Sequence, residues 1–472
     1  MRAIGGPSRH RPLILMLLLA GCATYQPEPL HPEHSAAQFS ARRLDAPELR
    51  DRIADLLPQS ASVWPPPAWN RAQLLAAALA WNPQVAVARA QVKAALAHEI
   101  GAAQMPNPEL TLQSEYARHD RHPWLYGLSL DLLVPAPQRR QLQTQAARLE
   151  TSAARWQLMD QTWAARHALL KAASERESAT RRLDVLERLA SAQQKLIALE
   201  RQRVAAGEDA ADELLTVSQA RIEFEQQQAQ ARSDADAATA ALAAALGIAP
   251  PALDDIGVDW SDWGQPPDVD AAALDRAREQ ALRSRSDLSA ALDAYAAAEN
   301  KLHQAVLRQY PQFQLSPGYY WDHGIAKFPF DVGFSLPLFN HNQGEIAEAR
   351  AAREVAGQHM LAVQAEIVGA IEAARRGETI ARAGVEAAER GLGAARNQRR
   401  NAALGLRLGG MAANEDIAAE ILLLRSELEV VQMRAQLQAA RNALEDALHA
   451  PLSGPELQLP NPLPVAEAGA AQ

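Results

Sequence analysis

The chain is written twice. Gln104-Met105-Pro106-Asn107-Pro108-Glu109-Leu110 returns as Leu307-Arg308-Gln309-Tyr310-Pro311-Gln312-Phe313, which sets Pro108 and Pro311 203 positions apart. Asn82-Pro83-Gln84-Val85 matches Arg285-Ser286-Asp287-Leu288 at the same offset. Gly127-Leu128-Ser129-Leu130 matches Gly333-Phe334-Ser335-Leu336, and Gly207 with Glu213-Leu214 matches Gly410 with Asp416-Ile417. A period of about 200 residues is too long for a solenoid unit of roughly 20–50. It implies a duplicated module, each half carrying the same elements in the same order.

The periodicity predicts helix, two strands, long helix, turn and helix in each half. The first repeat (71–247) has helices over 72–104, 138–206 and 210–247. The second (274–450) has them over 274–309, 343–408 and 413–449. Residues 248–273, with Pro250-Pro251 and Pro266-Pro267, read as a linker, and 451–472 as a proline-punctuated tail. At 1.5 Å per residue the long helices span about 100 Å. The two shorter helices of each half sum to nearly that length, as if stacked end to end beside the long one. Leu142, Leu149, Trp156, Trp163 and Leu170 recur every seven residues, and Ile417, Ile421, Leu424, Leu428, Val431 and Ala435 alternate four and three apart. Both spacings suit supercoiled packing, and an ordinary amphipathic bundle core explains them equally well; the paired helix lengths favour a tube.

The strands, 109–133 and 312–339, alternate apolar with polar residues. Phe328, Phe330, Val332, Phe334, Leu336 and Leu338 are interleaved with Pro329, Asp331, Gly333, Ser335 and Pro337. Residues 310–339 hold nine of the 23 aromatic residues. Strands of about ten residues with one apolar face suit a tilted membrane barrel wall flanked by aromatic girdles. Four strands cannot close a barrel, since the smallest membrane barrels have eight. If these strands enter a membrane, several copies must share one barrel; a soluble half-buried hairpin is the alternative reading of the strands alone.

Arg2, Arg9 and Arg11 precede the short apolar run Leu13–Ala20, which ends in Leu19-Ala20-Gly21-Cys22. This resembles a bacterial lipobox: residues 1–21 form the expected signal peptide, the single cysteine Cys22 the lipidated residue, and 22–70 a proline-rich tether. Ala23 in place of an aspartate points to the outer membrane. Removing residues 1–21 takes the net charge from −9 to −12 by deleting three arginines. An acidic chain argues against nucleic acid as a partner.

From about Trp69 to Leu452 the sequence resembles the outer-membrane efflux protein family, the TolC-like channels. The likeness rests on the duplication, on Pro106-Asn107-Pro108-Glu109-Leu110 and Tyr310-Pro311-Gln312-Phe313 before the first strands, on Gly333-Phe334-Ser335-Leu336-Pro337-Leu338-Phe339, and on Gly207 followed by Asp212-Glu213-Leu214-Leu215. The fold class it implies is mainly α with a small membrane β-barrel portion. Long coiled-coil hairpins would form a tunnel, and each subunit of a homotrimer would give four strands to a shared barrel in outer-membrane lipid. The implied role is a passive exit channel of a tripartite efflux or type I secretion-like system, working with a periplasmic adaptor and an inner-membrane pump. The hairpin turns would form the periplasmic entrance. Gate candidates are Glu208, Asp209, Asp212, Glu213, Glu415 and Asp416, and docking candidates are Gly207, Leu214, Gly409 and Gly410. Asp209 or Asp212, and Asn414, equally occupy helix N-cap positions, and Gly207, Gly409 and Gly410 turn positions.

His31-Pro32-Glu33-His34 and His119-Asp120-Arg121-His122 lack cysteine partners, and no metal site is expected. No phosphate loop, nucleophile elbow or metalloprotease motif is present, so neither catalysis nor a cofactor beyond the lipid on Cys22 is expected. The alternative reading is a lipidated periplasmic coiled-coil adaptor or scaffold.

Overall fold

The computed structural model describes residues 25–57, 63–119, 121–134, 137–208, 210–254, 256–261, 263, 266–311, 313–334 and 338–458. Cys22 lies outside them. Residues 25–42 belong to one unit, in which α1 (Pro32–Ser40) is an exposed helix led by proline at its first position. The remainder forms the second unit. Its elements run α2 (Pro47–Leu56), α3 (Arg71–Trp81), α4 (Pro83–Ala103), β1 (Glu109–Tyr116), β2 (Trp124–Val134), α5 (Pro137–Ala205) and α6 (Ala211–Leu246). The second repeat follows as α7 (Ala271–Ser284), α8 (Ser286–Leu307), β3 (Phe313–Asp322), β4 (Ile325–Lys327), β5 (Phe330–Phe334), α9 (Gln343–Arg407) and α10 (Ala413–Leu448).

The first helix of each repeat, expected unbroken over 72–104 and 274–309, is two helices. Asn82 precedes Pro83, whose ring excludes it from helical geometry, and it sits at ψ 124°. Its side chain then caps α4, accepting from the amides of Gln84 (2.9 Å) and Val85 (3.2 Å). The second repeat breaks at the aligned position with neither proline nor cap. Arg285 adopts ψ 142° and no side-chain cap forms. Its guanidinium pairs with Asp287 at 2.7 Å and donates to the carbonyl of Ala447 at the end of α10.

These breaks alter the length argument. The helices beside α5 have 21 and 36 residues against its 69, so they fall short of it by about 18 Å. The pairing itself stands, since α5 packs against both α4 and α6. The predicted seams face inward. Ile417, Ile421, Leu424 and Leu428 of α10 pack on Leu183, Leu186, Leu189 and Leu196 of α5 and Phe224 of α6. Leu142 and Leu170 are buried, and Leu149, Trp156 and Trp163 half-buried. A larger core joins α3, α5 and α6 through Leu74, Leu75, Leu169, Leu170, Leu242 and Leu246.

The strands form one antiparallel sheet in the order β1-β2-β3-β4, with β5 also paired to β3. The strand expected from Phe328 onward is split. β4 and β5 flank Phe328-Pro329, where the proline brings no N–H to the ladder but its carbonyl accepts from Gly318 N at 2.9 Å. Ser335, Leu336 and Pro337 lie outside the described residues.

Candidate functional site

Register decides what each face of the sheet carries, because paired residues project to the same side. Leu110 pairs with Leu130, Leu112 with Leu128, and Tyr116 with Trp124. Leu128 then pairs with Tyr319, Leu132 with Leu315, Phe313 with Phe334, and Leu315 with Val332. One face is therefore mostly apolar, interrupted at Ser114. The other carries Glu109, Thr111, Gln113, Ser129, Asp131, Gln314, Ser316 and Asp331, with Leu125, Leu133, Tyr320 and Ile325 among these polar residues. On this polar face Asp131 accepts from Thr111 Oγ1 (3.0 Å) and Ser316 Oγ (2.5 Å), joining three strands.

The apolar face is bare. Every residue of β1 and β5 is exposed, with Leu112 at 74% and Phe330 at 63%. Covering one such side chain is worth about 1.5–3 kcal/mol, so a contiguous uncovered face marks a surface that meets an apolar phase. Aromatic pairs reinforce it: Trp124 stacks on Tyr126 at 5.7 Å and meets Tyr116 edge-on at 4.8 Å. Among the described residues, β1 on one side and β4 with β5 on the other have no further strand partner. In hydrocarbon each unpaired backbone group costs several kcal/mol. Among the described residues no helix is long and apolar enough to cross a membrane.

The two helical turns close alike. Gly207 and Gly409 have φ 75° and 74°, the left-handed conformation that glycine adopts without strain. Glu208 N bonds to Arg203 O, and Gly410 N to Gly405 O, both at 2.9 Å. Gly410 itself has no positive φ. The structural counterpart of Gly207 is thus Gly409, one residue before the match drawn from sequence, and Glu213 corresponds to Glu415 rather than Asp416. The reason is length: α9 has 65 residues and α5 has 69. Losing four residues removes about one turn, which nearly preserves the inward seam.

Glu208 and Asp212 are exposed at the first turn and Leu214 is half-buried. Asp209 and the side chain of Glu213 lie outside the description. The N-caps of α6 and α10 are Ala210 and Ala412, so Asp212 and Asn414 sit inside the first turn, where Asn414 Oδ1 accepts from Glu415 N at 3.0 Å. The Glu415 carboxylate in turn accepts from Ala412 N at 3.0 Å. Asn414 reaches Glu200 of α5 at 3.4 Å, tying the two turns together. Asp416 is half-buried and paired with Arg399, which also meets Glu420 at 3.4 Å.

A buried charge knot had no sequence signal. Arg71 of α3 meets Glu445 of α10 and Glu456 of the tail, both at 2.7 Å. Arg166 of α5 meets the same carboxylates at 2.5 and 2.7 Å. All four side chains are at most 2% exposed. Burial alone would raise the Glu445 carboxyl, but Arg166 and Arg71 outweigh it and hold it below its ordinary value. The knot fastens helices of both repeats to the C-terminal segment 455–458.

No protein-family model matches the chain, and no curated protein sequence does. Solved structures do. The outer membrane protein VceC from Vibrio cholerae aligns with a TM-score of 0.66 at 18% identity, covering 81% of this chain and 97% of that one. The outer-membrane channel OprN aligns at 0.63 and 19%, covering 91% and 98%. The MtrE outer membrane channel of Neisseria gonorrhoeae, in its open state, aligns at 0.62 and 16%, covering 81% and 89%. This chain has the fold of these outer-membrane channels: mainly helical, duplicated, with a small sheet.

Proposed function

We propose that the chain is the exit duct of an efflux system in the bacterial outer membrane. The observation that carries this reading is the sheet: one apolar face bare, one polar face, and both edges open. Three copies would pair β1 of one with the β4–β5 arm of the next, close a twelve-strand barrel in lipid, and bring the helical hairpins below into a tunnel. The polar face with Asp131 would then line water. A lipid on Cys22 would add a second anchor. The turns at Gly207 and Gly409 would meet a periplasmic adaptor joined to an inner-membrane pump, which supplies the energy. Strands in both repeats favour this over an adaptor or scaffold.

The test is purification of the full chain in detergent, with mass by light scattering and single-channel recording in planar bilayers. A trimer with discrete conductance steps is expected. A water-soluble monomer that never conducts would refute the duct.

A further inference from the structure

The end of α10 holds an arrangement that the duct reading does not use. In the first repeat α6 ends at Gly247, which has φ 71°, and a Cβ there would lie 2.6 Å from the carbonyl oxygen of Trp81. The equivalent residue after α10 is His449, at φ 47° and ψ 40°. Both ends close with the same bond pattern, Ile248 N to Ala243 O (3.0 Å) and Ala450 N to Glu445 O (3.2 Å). Few non-glycine residues take this conformation, histidine more readily than most, and it leaves the His449 ring fixed in direction by the turn.

Its ring is held. It stacks on Trp163 of α5 with centroids 5.0 Å apart and planes 18° from parallel. Its Nδ1 lies 3.3 Å from Ser286 Oγ, at the first position of α8. Ser286 has one proton and donates it to Asp160 of α5. His449 must therefore donate from Nδ1, which leaves Nε2 as the site where a proton would add. The chain of donation runs from α10 through α8 to α5.

We propose that His449 is an acid-released latch, fastening the last turn of α10 to α5 and to the break that starts α8. The charged groups facing it are Asp160 and Arg166 from α5, Arg285 and Asp287 at the break, and Asp446 one turn earlier, itself bonded to His167 of α5. A proton on the ring puts a cation beside Arg285 and Arg166, the latter lying 5.2 Å from the centroid of the same Trp163 ring. Burial, then Arg285, push the ring down to about 4, with Asp287 opposing them.

Hydrogen exchange of the detergent-solubilised full chain tests this. Exchange at the imidazole C2, read by mass spectrometry, should place the half-titration of His449 near 4. Backbone exchange over 444–452, corrected for intrinsic pH dependence, should accelerate up to about 80-fold from pH 6.5 to 4 if opening restores an ordinary imidazole. In His449→Asn, which tolerates the left-handed conformation and does not titrate, that acceleration should disappear. His449→Gly, carrying the residue of the first repeat, should behave likewise, and either variant suffices if the other does not fold. An ordinary histidine titration, or the same acceleration in the variants, overturns the latch. Neither readout needs a barrel or conductance, so failure here is distinct from failure of the duct.

Discussion

The two repeats share a backbone plan and reach it by different chemistry. The first uses local devices: Pro83 and the Asn82 cap make the helix break, and Gly247 ends α6. The second breaks at Arg285, held by Asp287 and by the distant carbonyl of Ala447, and ends α10 at His449, held by the distant Ser286 and Trp163. The first repeat's joint is thus specified by its own sequence, whereas the second's depends on the assembled fold. Duplication preserved geometry and let the means diverge.

The largest expected effect breaks the link between repeats. Arg166→Met leaves two buried carboxylates sharing Arg71 alone and should cost about 3–5 kcal/mol in chemical denaturation. Stability near wild type would mean that the knot does not join the halves. The same site sets acid behaviour. Because the folded pKa of Glu445 is depressed below 4.5, its contribution is present above that pH and lost as pH falls through the folded value. Glu445→Gln should flatten that limb of the pH–stability curve while lowering stability at neutral pH.

Next comes the contrast of helix ends. Gly247→Ala forces a Cβ against Trp81 O at positive φ and should cost roughly 2–4 kcal/mol in melting experiments. His449→Gly should cost clearly less, since strain relief offsets the lost stacking. Equal effects would erase the distinction between local and tertiary joints.

Asn82→Ala removes a cap and should cost about 1 kcal/mol, checked by denaturation against Arg285→Ala. The smallest effect concerns the turns. Asp416→Ala leaves Arg399 to Glu420 alone and should shift bilayer reversal potentials toward anions, and Glu208→Gln should do so at the exposed first turn. Unchanged selectivity in both would remove the carboxylates from any gate.

The alternation in β1–β3 was readable because side-chain period and burial coincide in a strand, and the α10 seam because one helix face packs continuously. The break at Pro83 is not legible from spacing alone, since proline at a first helical position resembles proline within a helix until the residue before it is placed. The break at Arg285 carries no local mark and was reachable only through its alignment with Asn82. The turn match at Gly410 slipped by one because the four-residue difference between α5 and α9 is silent in the turn motifs.

What the sequence determined alone is the duplicated order of elements, the amphipathic strands and the inward seams, all properties of spacing along one chain. What tertiary structure decided is the pairing of Arg71 and Arg166 with Glu445 and Glu456, the capture of His449 by Trp163 and Ser286, and the ion pair of Asp416. These join residues brought together only by packing, where desolvation makes a charge or a strained residue tolerable solely if its partner is already in place.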